Sequence, residues 1–162
     1  MKTENVIYEE QQKTYLILVA VFIIVAAFLL GLVLFPGFFN KQDLPQSARL
    51  IILVVAVLDL ILFWSFSQLS IIITSQYLQL GFGIFRKNIL LSNISEVEVE
   101  NYKKSVYLGY GIRLGRDKSI GYIARGGRGV RIKMKPRDYF FSSDNPEQIK
   151  LLLKPHINHL AN

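Results

Sequence analysis

Seven glycines and seven arginines or lysines crowd into Gly109–Met134 around a single acid, Asp117. Glycine beside cations is the composition of a phosphate-gripping loop or a nucleic-acid patch. A phosphate loop, however, needs GxxxxGK[ST] or GxGxxG spacing leading into a helix, and neither spacing occurs here. The glycines instead separate short runs of strand-forming residues, so they read as hairpin turns that need positive φ. On the strand leaving the last turn, Arg131, Lys133 and Lys135 alternate with Ile132 and Met134. With Arg125 and Arg128 they form a basic set expected to face outward, a candidate surface for anionic lipid or for a protein partner. The alternative is that these cations pair with Glu96, Glu98 and Glu100 or are simply solvated.

Those three glutamates, in Ser95–Asn101 (SEVEVEN), are spaced i, i+2, i+4. On a strand they share one face with neighbours about 7 Å apart, too far for one metal ion without other ligands. They read as a solvated or salt-bridged face. His156 and His159, beyond Pro155, read as a solvated tail rather than a metal pair. Without cysteine there is no thiolate metal site, disulfide or Cys nucleophile. No GxSxG or HExxH motif is present, so neither catalysis, a metal nor a cofactor is expected.

One further acid, Asp59, stands in an apolar run, and that run shows which elements must position everything else. The chain of 162 residues is 51% hydrophobic yet carries a net charge of +7, with mean hydropathy +0.32 and pI ≈ 9.7. The apolar residues are segregated. Tyr15–Phe35 is uncharged throughout, and Leu50–Phe66 contains only Asp59. About 20 apolar residues cross a bilayer core, so two transmembrane spans are expected, at about 15–35 and 50–67. A chain this short has too little protein to cover two all-apolar helices. Pro36–Arg49 then links a helical hairpin. The first run is too long for a signal peptide, and the Pro-Gly-Phe-Phe after it is a poor cleavage site.

Asp59 falls roughly 15 Å beyond Arg49 at helical rise, near the midplane. An ionised carboxylate there costs at least about 2.5–3.5 kcal/mol. Ala26 and Ala27 lie at similar depth and would let the helices pack closely. Asp59 is therefore a candidate oligomer contact or proton site, or else a neutral acid hydrogen-bonded within the hairpin. Fifteen of the 19 basic residues lie from Arg86 onward. The positive-inside rule then places both termini in the cytoplasm and the link outside, as a multi-pass protein of the cytoplasmic membrane.

From Leu69 the pattern turns to short β-branched and aromatic runs. Leu69–Phe82, Ile84–Leu91, Ser95–Asn101, Tyr110–Leu114, Ser119–Ile123, Gly129–Met134 and Asp138–Ser142 read as about seven strands. Asn145-Pro146-Glu147-Gln148 signals a helix start. Ile149, Leu152 and Leu153 form its apolar stripe, and Pro155 should end or kink it. The expected fold is α+β: residues 1–68 as tail and transmembrane hairpin, 69–162 as an antiparallel β domain capped by a C-terminal helix.

The segments GYGIR, GGRGVRI and YFFSSDNPEQIKLLL, placed after a two-helix hairpin, resemble an uncharacterised branch of bacterial PH-like membrane proteins. The resemblance implies a pleckstrin-homology β-barrel or sandwich closed by the helix, and implies no established activity. Eukaryotic PH domains often bind phosphoinositides with a basic first hairpin. Here that hairpin (LQLGFGIFRK) offers only Arg86 and Lys87, which departs from the inositide pattern.

The expected function is a membrane-anchored, non-catalytic binding or scaffolding module. An alternative is a small accessory or homo-oligomeric membrane subunit acting through Asp59. Nucleic-acid binding is less favoured. From Ser70 on there are fifteen basic residues against seven acidic, but the strands lack an array of aromatics, and a membrane-tethered basic domain already has an anionic neighbour.

Overall fold

A computed structural model describes residues 5–35 and 45–157. The chain divides into two compact units, a helical unit of residues 16–65 and a β unit made from both flanks, up to Tyr15 and from Phe66 onward.

The helical unit holds α1 (Leu16–Leu34) and α2 (Gln46–Phe66). Both are long and apolar enough to cross a membrane, with mean hydropathies of 3.3 and 2.4 over windows only 0% and 11% buried. Apolar surface on every side of a helix calls for an apolar surrounding. α2 starts four residues before the expected span because the polar turn Gln46–Arg49 is helical, the Arg49 amide donating to the Pro45 carbonyl at 3.1 Å. Phe22 meets Phe63 edge-on at 6.1 Å. Ala26 shares a cleft with Asp59, so the two helices run antiparallel. The link residues 36–44 lie outside the described residues.

The β unit holds two open sheets. The first is antiparallel, in the order β1 (Val6–Lys13), β2 (Gln68–Thr74), β3 (Tyr77–Phe82), β4 (Phe85–Leu90). A 3₁₀ turn at Leu91–Asn93 carries the chain to the second sheet. Its strands are β5 (Ile94–Asn101), β6 (Gly111–Leu114), β7 (Ile120–Ile123), β8 (Arg128–Met134) and β9 (Tyr139–Ser142), in the order β5-β8-β9-β7-β6. Only the β7–β9 pair is parallel. A one-turn helix α3 (Lys104–Tyr107) follows β5, and α4 (Pro146–Ile157) closes the described chain.

Of the expected barrel or sandwich, this corrects the closed barrel. Among the described residues no ladder joins the two sheets, so neither closes. There are nine strands among the described residues rather than about seven, for two reasons. Leu69–Phe82 breaks at Ser75–Gln76, where the Thr74 hydroxyl accepts the amides of Gln76 and Tyr77 at 3.3 and 3.1 Å. That side-chain acceptor makes the turn without glycine or proline. The N-terminal tail, grouped above with the hairpin, is strand β1, paired with β2 from Lys13↔Gln68 back to Val6↔Thr74. It therefore belongs to the β unit.

β1 escaped the period-2 signal because its inward residues are polar. Glu10 and Gln12 are buried. Glu10 accepts the Tyr8 hydroxyl at 2.6 Å, the Ser143 hydroxyl at 2.7 Å and the Asp144 amide at 2.7 Å. Gln12 donates to Asp144 at 2.9 Å and accepts the Ser142 hydroxyl. Burial and the Glu10 contact push the Tyr8 phenol up to about 12. Buried polar groups are retained only when satisfied, and this seam satisfies them between β1 and the β9–α4 loop.

Apolar alternation builds the core as expected. Ile71, Leu80, Val130, Ile132, Phe141, Ile149 and Leu153 meet in one cluster that includes both sheets and α4. Phe140 points the other way, under Tyr107 at 5.4 Å. Of the expected helix stripe, Ile149 and Leu153 are buried and Leu152 is half-buried. The helix continues past Pro155 to Ile157 rather than ending there.

Both chain exits leave one end of the β unit. The Thr14 amide donates to the Ser67 carbonyl at 3.0 Å, and the Tyr15 amide to the Ala124 carbonyl at 2.8 Å. Tyr15 stacks on Tyr110, and Phe66 on Phe85. The β6–β7 turn lies at the other end, because β7 runs from it to Ala124, about 17 Å at strand rise. At the exit end Leu108 holds φ 58 as the C-cap of α3, a left-handed conformation costing roughly 1–2 kcal/mol for a leucine.

Candidate binding surface

Of the five cations proposed from sequence, four are engaged by carboxylates. Arg125 pairs with Asp144, and Arg128 with Glu147. Lys133 lies 2.9 Å from Glu96 and 3.5 Å from Glu98, as the β5–β8 register Glu96↔Lys133 dictates. The Lys133 hydrogen bond holds the Glu96 carboxyl below its usual range.

Arg131 is the hub of the second sheet. Its Nε donates to Glu100 at 2.6 Å, and one terminal nitrogen donates to Asp117 at 2.9 Å and to the Tyr107 hydroxyl at 3.2 Å. Asp138 stands 3.7 Å from the other. The side chain is only 11% exposed, so it ties β5, α3, the β6–β7 turn and the β8–β9 loop together instead of facing outward. Burial opposes ionisation of Glu100, but hydrogen bonds from Arg131 and Lys103 outweigh it and lower the carboxyl. Burial opposes ionisation of Asp117 too, outweighed by the Ser119 hydroxyl and amide and by Arg131. The glutamate face is thus a salt-bridged strand face, the alternative the sequence left open.

Lys135, the fifth cation, has no carboxylate partner among the described residues, and its neighbours carry the signal the sequence reading missed. Arg116 and Lys118 in the β6–β7 turn and Arg137 in the β8–β9 loop are exposed and likewise unpaired. The turn is set locally: the Gly115 amide donates to the Ser119 carbonyl at 2.7 Å, the Asp117 carboxylate takes the Ser119 amide at 3.1 Å, and Lys118 adopts φ 66. Between turn and loop lies a groove of about 370 Å³ lined by Leu114, Asp117, Lys118, Pro136, Arg137 and Asp138. Its two acids already face Arg131, which leaves Lys118 and Arg137 as the unpaired cations of its lining. The motifs GRDKS and KPRD were readable as basic turns; their lack of partners was not.

Hydroxyl–carboxylate pairs do occur, Ser119 with Asp117 at 2.6 Å and Ser143 with Glu10. Both serines are buried, out of a substrate's reach. Among the described residues no group of three His, Cys, Asp or Glu side chains is placed to hold a metal. His156 borders a shallow site with Ser75 and Ser92; His159 lies outside the described residues.

Within the helical unit, Asp59 lines an apolar cleft of about 290 Å³ with Phe22, Ala26, Ala27, Leu30 and Phe63. Its Oδ2 is buried without a hydrogen-bond partner.

Compared with family models, with curated proteins and with solved structures, the chain matches none.

Proposed function

We propose that this protein is a membrane-anchored, non-catalytic binding module whose basic groove takes an acidic segment of a protein partner. The observation that carries the reading is the placement of unpaired charge. Lys118 and Arg137 line one groove, with Arg116 and Lys135 next to them in sequence in the same turn and loop, at the end of the β unit opposite Tyr15 and Phe66, where the chain passes into two helices able to cross a bilayer. Cations at that end are remote from the tethers, which favours a soluble partner over the anchoring leaflet. Clustered charge raises association rates and makes binding salt-dependent. Both termini cytoplasmic, from the charge bias, completes the reading. A PH-like ancestry remains part of this proposal; two sheets and a C-terminal helix are the layout it calls for.

The test uses the full chain in nanodiscs of zwitterionic lipid and a labelled glutamate-rich peptide. Binding should weaken as salt rises and be lost in Lys118→Glu/Arg137→Glu. Binding of an oligonucleotide but not of the peptide would replace this reading with nucleic-acid recognition.

A second reading rests on Asp59. An intramembrane carboxylate with a bare oxygen in an apolar cleft is a site for a hydrogen-bond donor from another subunit. Under it, Asp59→Leu reduces the oligomer size of the detergent-extracted protein while Asp59→Asn preserves it; unchanged size in both removes it.

A further inference from the structure

The exit end of the β unit carries a second surface, of opposite chemistry to the groove. Ile84 is 65% exposed in the β3–β4 turn, Phe85 is 40% exposed at the start of β4, and Leu108 is 63% exposed in the loop between α3 and β6. These turns share one end: Phe85 packs on Phe66, while Tyr110, two residues after Leu108, stacks on Tyr15 at 5.0 Å. Leu108 holds a left-handed backbone that leucine disfavours, yet its side chain gains no burial by it. That backbone ends α3, the Leu108 amide donating to the Lys104 carbonyl at 2.9 Å, and it leaves the apolar side chain facing outward.

Cations frame this apolar rim. Arg86 donates its Nε to the Gly83 carbonyl at 2.9 Å, and Arg113 its Nε to the Tyr110 carbonyl at 2.7 Å. Each guanidinium is thereby pinned over one of the two turns, and among the described residues neither meets a carboxylate. Lys13, exposed at the end of β1, is likewise unpaired.

We infer that Ile84, Phe85 and Leu108 insert into the headgroup–acyl boundary of the bilayer that α1 and α2 span, with Arg86, Arg113 and Lys13 on anionic headgroups. Large apolar side chains ringed by cations and aromatic hydroxyls are the composition of interfacial segments. The occupant follows from chain continuity. Leu16 directly follows Tyr15 and Ser65 directly precedes Phe66, so the leaflet surface begins within a few residues of this end. The inference rests on the spanning reading of the two helices. Its consequence is that two tethers and an inserted rim fix the orientation of the β unit, presenting the basic groove away from the membrane.

The experiment uses the full chain with its only tryptophan removed (Trp64→Phe) in vesicles of mixed zwitterionic and anionic lipid. Single tryptophans replace Ile84, Leu108, Leu90 or Leu58, and emission is read with lipids brominated near the headgroup or near the chain end. Tryptophan at 84 and at 108 should emit to the blue and lose roughly half of its intensity to shallow bromine, as a side chain seated some 5–10 Å deep would. Leu90→Trp, at the far end of β4, should emit as in water and remain unquenched. Emission at 84 and 108 indistinguishable from that at 90 overturns the inserted rim. Leu58→Trp, in the middle of α2, separates the two readings: deep quenching there keeps the spans while the rim fails, and its absence removes the spanning reading itself.

Discussion

The Thr14 amide donates to the Ser67 carbonyl at 3.0 Å, and the Thr14 hydroxyl to the Phe66 carbonyl at 2.6 Å. The chain thus leaves the β unit and returns to it at neighbouring backbone positions, with a helical hairpin between them. Because β1 lies in one sheet with β2, the N-terminal strand and everything after Phe66 must share a side of any membrane the hairpin crosses.

That pairing sharpens a topology test, since the natural chain has no cysteine. In intact cells an impermeant maleimide should label Gln42→Cys, and should label the exposed positions Gln11→Cys and Ser92→Cys only after lysis. Gln11 and Ser92 must behave alike whichever way the protein faces. Different labelling of the two would contradict the β1–β2 ladder, whereas shared labelling with Gln42 protected would reverse the orientation.

Glu10 should be the most sensitive position of the N-terminal strand. Glu10→Ala strands the Tyr8 and Ser143 hydroxyls and the Asp144 amide, and each buried donor left unmet costs about 1–3 kcal/mol. Thermal unfolding of the detergent-solubilised chain should fall by several degrees, with a smaller fall for Glu10→Gln, which keeps one acceptor oxygen. Equal stability of Glu10→Ala and wild type would mean that β1 is not docked through this seam.

Arg131 predicts a pH signature. Glu100 and Asp117 have lowered folded-state carboxyl values, so their contribution is complete above the ordinary carboxylate range of about 4. It is lost as pH falls through their folded values. Breaking a buried ion pair costs about 3–5 kcal/mol, less where the partners are part-exposed as here. Arg131→Met should therefore lower thermal stability most at neutral pH, and the gap from wild type should narrow as the pH is brought below about 4. A gap independent of pH would assign the loss to packing alone.

The closing helix offers a paired control. Ile149 is fully buried and Leu151, two residues on, is 66% exposed. Truncating a buried isoleucine to alanine costs about 2–5 kcal/mol, whereas surface changes stay within roughly 0.5 kcal/mol. Ile149→Ala should unfold several degrees earlier than wild type and Leu151→Ala should not. The reverse order would place the other face of α4 on the sheets.

Some of this molecule was settled by local chemistry. α1 and α2 were legible because the hydropathy of twenty consecutive residues adds up whatever surrounds them. Gly83 and Gly127 sit in turns at φ 51 and 111 because only glycine adopts those angles freely. The strands β5 to β9 were legible within a residue or two because one face of each is apolar. What decided the rest acts across the chain. β1 has no apolar face to announce it, and Glu10 meets Ser143, 133 positions along the chain, only after the intervening chain has folded back. The same holds for charge. Alternation in GVRIKMK told which side chains share a face of β8, but the partners on that face came from β5, the β6–β7 turn and the β8–β9 loop. A cation's availability depends on the carboxylate that strand register sets within about 3 Å of it, and register is a property of two strands at once. Arg131 was thereby withdrawn from the surface and Lys133 neutralised on it, whereas Arg116, Lys118 and Arg137 were left there unpaired.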